Sequence, residues 1–120
     1  MIQMLKPAEM AKLAVKAMED KKAKEVTLMR TTDVTVLADY FVICTASSTT
    51  HIKSIADEVE HVLTEAGEPP RKREGERSSG WVLIDFGCVI VHVFMEEARQ
   101  FYDLERLWAD AEKIDISTLS

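Results

Sequence analysis

No stretch of the 120-residue chain approaches the roughly 20 consecutive apolar positions needed to span a bilayer. The opening decamer MIQMLKPAEM lacks the charged start, apolar middle and small-residue cleavage site of a secretory leader, so a cytoplasmic protein is expected. Cysteine is nearly absent. Cys44 and Cys88 each lie in an apolar strand-like run with no partner at a metal-type spacing, and both read as reduced, buried thiols rather than a structural disulfide. Cationic excess is missing as well: 15 Lys and Arg face 21 Asp and Glu, for a net charge of −6. That balance argues against broad DNA or RNA binding, which needs clustered cations to displace counterions from phosphates, and favours basic protein partners. The one basic cluster, Arg71–Lys72–Arg73, is interleaved with Glu68, Glu74 and Glu76 and reads as a solvated loop, with room for a minor contact to RNA.

Catalytic arrangements are missing too. There is no G-x-S-x-G elbow, and Cys44 stands in mid-strand, where a thiol is inert. Thr45 to Ser48 joins a strand to a helix start, a natural perch for phosphate. That loop has no glycine to let a backbone come close, and no Asp-x-Asp or Asp-x-Glu pair follows on a strand to hold magnesium. A nucleotide-binding or residual nucleotidyltransferase-like protein is therefore the alternative rather than the leading reading. His51, His61 and His92 fit no ligand pair, so neither a metal nor a cofactor is expected.

What is present fits one compact α/β domain with a single core. Pro7 to Asp20 carries Met10, Leu13, Ala14, Ala17 and Met18 at helical spacing. Glu25 to Met29 alternates as a short strand, and 31–37 reads as a loop. Asp39 to Ala46 is apolar on both faces, as a central strand covered on each side should be. Ser47 or Ser48 offers an N-cap for a helix beginning near Thr49, with Ile52, Ile55, Ala56, Val59 and Leu63 on one face and Gly67 closing it. Arg71 to Arg77 allows a short edge strand with a bulge at Gly75, and Ser78 to Gly80 reads as a turn. Trp81 to Asp85 and Val89 to Phe94 then form a hairpin across Gly87.

A last helix is expected from Glu96 to Ala111, with Phe101, Leu104, Leu107, Trp108 and Ala111 on its buried stripe. Residues 95–110 hold five acids against two bases, a net charge of −3. The sum is a mixed sheet of four or five strands flanked by helices, in a domain spanning 1–111, followed by a flexible tail over 112–120.

Alternation puts His92 on the face of Ile90 and Phe94. It is either a hydrogen-bonded histidine at the core edge or part of an exposed contact surface. Trp81, at the start of its strand, is a candidate for exposure, and Trp108 for the core.

The segments ADYFVICTAS (38–47), SIAD (54–57), Glu74–Gly75, Trp81 to Asp85 with Gly87, VIVHVF (89–94) and FYDLERLW (101–108) together resemble the ribosomal silencing factor family, whose plant organelle members are called Iojap. The resemblance runs from the first helix to Trp108. It implies a nucleotidyltransferase-like sheet without catalytic residues, and a non-enzymatic repressor of translation. Such a protein docks on the large ribosomal subunit through the ribosomal protein numbered fourteen and blocks subunit joining during nutrient limitation. A role in large-subunit biogenesis is implied as well, for a monomer or weak homodimer. Carried onto this chain, the contact surface would be Trp81, Leu83 and Asp85, with His92 and Tyr102 as weaker members. Two positions depart from the family: Cys88 stands where aspartate is common after the hairpin glycine, and Ala46 where glycine is frequent.

Overall fold

The computed structural model describes residues 6–32, 34–36, 38–75 and 80–116, with the side chain of Leu107 also outside the description. The elements in chain order are α1 (Pro7–Asp20), β1 (Lys24–Arg30), β2 (Tyr40–Ala46), α2 (Thr49–Glu65), β3 (Lys72–Glu74), β4 (Trp81–Asp85), β5 (Val89–Met95), α3 (Glu96–Tyr102), α4 (Leu104–Leu107) and β6 (Glu112–Ile114). The strands make one six-stranded sheet in the order β3-β4-β5-β2-β1-β6. Only β2 and β5 run parallel; the other pairs are antiparallel.

Both long helices lie on one face. Met10, Ala14 and Met18 of α1 and Ile52, Ile55, Val59 and Leu63 of α2 are buried against Val42, Cys44, Val82, Ile84, Val91 and Val93 of the strands. Helix α2 begins where Ser48 accepts the His51 N–H in its side-chain oxygen. It ends in a Schellman pair, in which the Glu68 N–H donates to the Leu63 carbonyl and the Gly67 N–H to that of Thr64, with Gly67 at φ +93°.

The second face is covered differently. Met29, Phe41, Ile43 and Phe94 are buried here beneath Ala38, Val34, Ala98, Leu104 and Trp108, contributed by a loop and the short C-terminal helices. Strand β2 is thus covered on both sides, as its unbroken apolar run implies.

Three expectations need correction. The C-terminal helix breaks in two at Asp103, which adopts the left-handed conformation at φ 44°. The break has a physical reason. Six residues apart on an unbroken helix, at about 100° per residue, Arg99 and Glu105 would point to different sides; after the break, both Arg99 Nε and Nη2 reach the same Glu105 oxygen at 3.1 and 3.0 Å. Phe101 is consequently turned out, 81% exposed, instead of sitting on the buried stripe. The start of the expected tail is a strand: Glu112 to Ile114 pair with Arg30, Met29 and Leu28, so β1 gains a partner on its outer edge and the sheet a sixth strand. Three residues are too few for an alternation to be legible. The turn expected at Ser78 and Ser79, and residues 117–120, lie outside the described residues.

The edge strand β3 does form. Gly75, at its end, has φ +90°, and a Cβ there would stand 2.2 Å from the Trp81 carbonyl oxygen, so only glycine lets this backbone pass beside β4. Arg73 ties the edge to α2 by pairing with Asp57 at 2.9 Å and Glu60 at 3.7 Å. Burial alone would raise the Asp57 carboxyl; the hydrogen bonds from Lys53 and Arg73 outweigh it and hold it below the usual range.

Candidate docking surface

In the β4–β5 hairpin, Trp81 faces Phe94, Leu83 faces His92 and Asp85 faces Ile90. By the period of two, all six belong to the sheet face opposite α1 and α2. The short C-terminal helices cover only part of that face. Trp81, Leu83, Asp85 and Ile90 are left half-buried at its β4 side, while Phe94 and His92 are buried. Helix α3 contributes Tyr102, 45% exposed, whose ring lies 4.5 Å from that of Trp81, and Phe101 edge-on beside it at 5.1 Å. The result is an aromatic and aliphatic strip, with Glu96, Glu97, Asp103 and Asp85 nearby. The Asp85 carboxylate also accepts the Gly87 N–H at 2.7 Å, which fixes it against the hairpin turn.

Four of the five residues expected at a contact surface, Trp81, Leu83, Asp85 and Tyr102, therefore share one partly open face. His92 does not join them at the surface. It is 4% exposed, and its Nδ1 accepts the Trp81 indole N–H at 3.1 Å. Its ring stacks with those of Trp81 and Phe94 and tilts against Phe41. Of the two readings open at the sequence level, the hydrogen-bonded histidine is the one this geometry matches. Burial pushes its pKa down to about 4. Trp108 packs edge-on against Phe41 at 5.6 Å, half-buried.

Sequence reasoning missed Arg99. Counted only as a charge on an acidic segment, it is 8% exposed. It donates to the Glu25 carbonyl at 2.6 Å, to the Thr45 and Thr27 hydroxyls at 2.9 and 3.0 Å, and to Glu105. Glu25 itself has φ +50° within the irregular register between β1 and β2. The guanidinium bonds the carbonyl of a strained residue and fastens α3 to the sheet at the same time. No local pattern signals this, because three of its partners lie more than 50 residues away.

A cleft of about 980 Å³ opens beyond the ends of β2 and β5, lined by Lys24, Ser47, Thr49, Glu96, Glu97 and Phe101 among others. This is where the nucleotide alternative would have to operate. One amide of that loop is already used, the Ser47 N–H donating to His51 Nδ1 at 2.9 Å, and at the helix start the His51 N–H donates to Ser48 Oγ at 3.0 Å. Glu96 and Glu97 on the lip add negative charge where phosphate would sit. Among the described residues, no three His, Cys, Asp or Glu side chains stand together in a way that could hold a metal ion. Cys44 is buried and its thiol is pushed up to about 12, which suits a packing role and not a nucleophile.

Known proteins resemble this chain over most of its length. A protein named ribosomal silencing factor RsfS from Halalkalibacterium halodurans is 40% identical over 108 residues, covering 90% of this chain and 92% of the relative. The mouse protein named mitochondrial assembly of ribosomal large subunit protein 1 is 27% identical over 103 residues, covering 80% of this chain and 43% of its own length. A crystal structure of a Chromobacterium violaceum protein superposes with a TM-score of 0.85 at 37% identity, over 88% of both chains. The family described as "Ribosomal silencing factor during starvation" matches residues 5–120. With its hairpin, helix break and silent strand-to-helix loop accounted for, the chain belongs to the ribosomal silencing factor family, RsfS.

Proposed function

We propose that this protein docks on the large ribosomal subunit through the ribosomal protein numbered fourteen and keeps the small subunit from joining. Translation is thereby repressed when nutrients are short. The observation that carries the reading is the half-open strip of Trp81, Leu83 and Tyr102 bordered by Asp85 and the acids of α3. Apolar rings surrounded by carboxylates suit a basic protein surface: the rings bury area, and the charges steer and set register. The names of the bacterial and mouse relatives supply the ribosomal context. In this reading the protein acts in the cytoplasm by occupying a surface, with no bond made or broken, and the same contact would let it assist large-subunit biogenesis.

Co-sedimentation with isolated large subunits tests the docking, and a subunit-joining assay tests the block. Binding should be saturable, and the coated large subunits should fail to pair with small ones. Trp81→Ala should weaken binding by about 2 kcal/mol, roughly thirtyfold, as the loss of an aromatic anchor does. A folded Trp81→Ala protein that binds as tightly as the parent removes Trp81 from the contact. Large subunits that pair normally while coated overturn the steric block.

A further inference from the structure

The docking reading leaves His92 without a role, since a buried side chain touches no partner. Its chemistry is unusual for such a place. The Trp81 indole N–H can be accepted only by an unprotonated nitrogen, so Nδ1 carries the lone pair and the proton of the neutral ring sits on Nε2. That Nε2 is buried with no hydrogen-bond partner among the described residues. An orphaned buried donor is costly, and an apolar ring of similar shape would fit the Phe41–Trp81–Phe94 stack without that cost. What histidine supplies here, and phenylalanine does not, is the Nδ1 acceptor.

Trp81 has reason to need one. It opens β4, is half-exposed, and lies between the buried His92 and Phe94 rings and the exposed Tyr102. Stacking alone fixes a ring plane loosely; a hydrogen bond to one edge fixes which way round the indole lies. The groups around the imidazole leave that bond undisturbed. Strand β2 presents Phe41 and Ile43, and β4 presents Trp81 and Leu83. Among the described residues, the titratable and charged groups sharing the face include Asp85 on β4, Lys72 and Glu74 on β3, Tyr102 on α3, the Arg99–Glu105 pair over Thr45, and Lys113 on β6, which pairs with Glu105.

We propose that His92 is a positioning residue for the docking surface: its Nδ1 holds the Trp81 indole by the N–H and thereby sets the orientation in which that ring meets the ribosomal partner. The proposal rests on the docking reading above. It separates two properties that usually move together, because the residue should matter more for binding than for stability.

The test uses the full chain and two readouts. The first is hydrogen exchange of the Trp81 indole N–H by NMR, identified as the signal that Trp81→Phe removes, and it needs no ribosome. The second is affinity for isolated large subunits. In the parent protein the indole should be protected. In His92→Phe the protection should vanish and affinity fall about tenfold, the equivalent of one hydrogen bond, while the urea midpoint stays level or rises. His92→Asn, whose Oδ1 can stand in for Nδ1, should recover both readouts at least partly. In a Trp81→Phe background, which has no indole N–H, His92→Phe should cost nothing further. Should His92→Phe fail to fold, the exchange rate in the parent and the Asn variant decide the matter.

An unprotected parental indole, a His92→Phe protein that binds normally, or additive losses in the double variant would each overturn the proposal while leaving docking intact. A parent protein that does not bind large subunits overturns the docking reading, and this inference falls with it.

Discussion

The two faces of the sheet are made from the same strands but are held by different physics. Toward α1 and α2 the packing is mainly aliphatic: Ile52, Ile55, Val59 and Leu63 are fully buried on Val42, Val82, Ile84, Val91 and Val93. Adhesion there is non-directional and proportional to area. On the opposite face the cover is short and partial. It depends on one guanidinium and on stacked rings, and beneath it the Trp81–His92 hydrogen bond orients the indole. The first face can tolerate sliding and repacking, whereas the second fixes a few side chains in set orientations and leaves Trp81, Leu83 and Tyr102 within reach of a partner. A closed aliphatic core and a half-open aromatic strip thus lie on opposite sides of one sheet, and in the docking reading proposed above the strip is the side that meets the partner.

The contrast can be broken most forcefully at the aliphatic face. Leu63→Ala should destabilise the protein by about 3 to 4 kcal/mol, as truncation of a fully buried leucine does, whereas Leu83→Ala on the open face should cost about 1 kcal/mol or less while weakening large-subunit binding. Urea titration of both variants checks this; equal losses would mean that the open face is as much core as the other. Arg99→Met comes next. It should cost about 3 kcal/mol, because the Glu25 carbonyl, the Thr45 and Thr27 hydroxyls and the Glu105 carboxylate all lose their donor. If the covering helices are held by packing alone, the methionine variant would be nearly as stable as the parent.

Acid sharpens the comparison at a single residue. His92 binds its proton near pH 4 in the folded protein and at its ordinary value near 6.5 when unfolded. Between those limits the unfolded chain holds more protons, so stability present above pH 6.5 is lost as pH falls toward 4, by up to about 3 kcal/mol. Urea midpoints measured from pH 7 to pH 4 should decline, and the decline should flatten in His92→Phe. An unchanged slope in that variant would assign the acid sensitivity to other groups.

Much of this architecture was legible without coordinates, for local reasons. The i, i+3, i+4 stripe of Ile52 to Leu63, the Ser48 cap and the Gly67 terminus define α2 within one stretch of chain, and alternation across Gly87 defines the hairpin. The half-open strip was legible in part. Alternation places Trp81, Leu83 and Asp85 on a common face, but it gives no means of deciding whether that face is open at His92. Phe101 was misassigned because the helical phase was carried through Asp103, where the backbone turns left-handed and resets it.

The sequence by itself determined α1, α2, the strands β1 to β5, the family and the strand faces, since each depends on residue types a few positions apart. Tertiary structure alone decided that Arg99 is an anchor, that residues 112–114 close the sheet edge, and that His92 is held under Trp81. Those outcomes depend on which distant groups meet: a guanidinium finds a strained carbonyl 74 residues away, and an imidazole an indole across two strands. Hydrogen-bonding potential is written in the residue, but its satisfaction is a property of the folded whole.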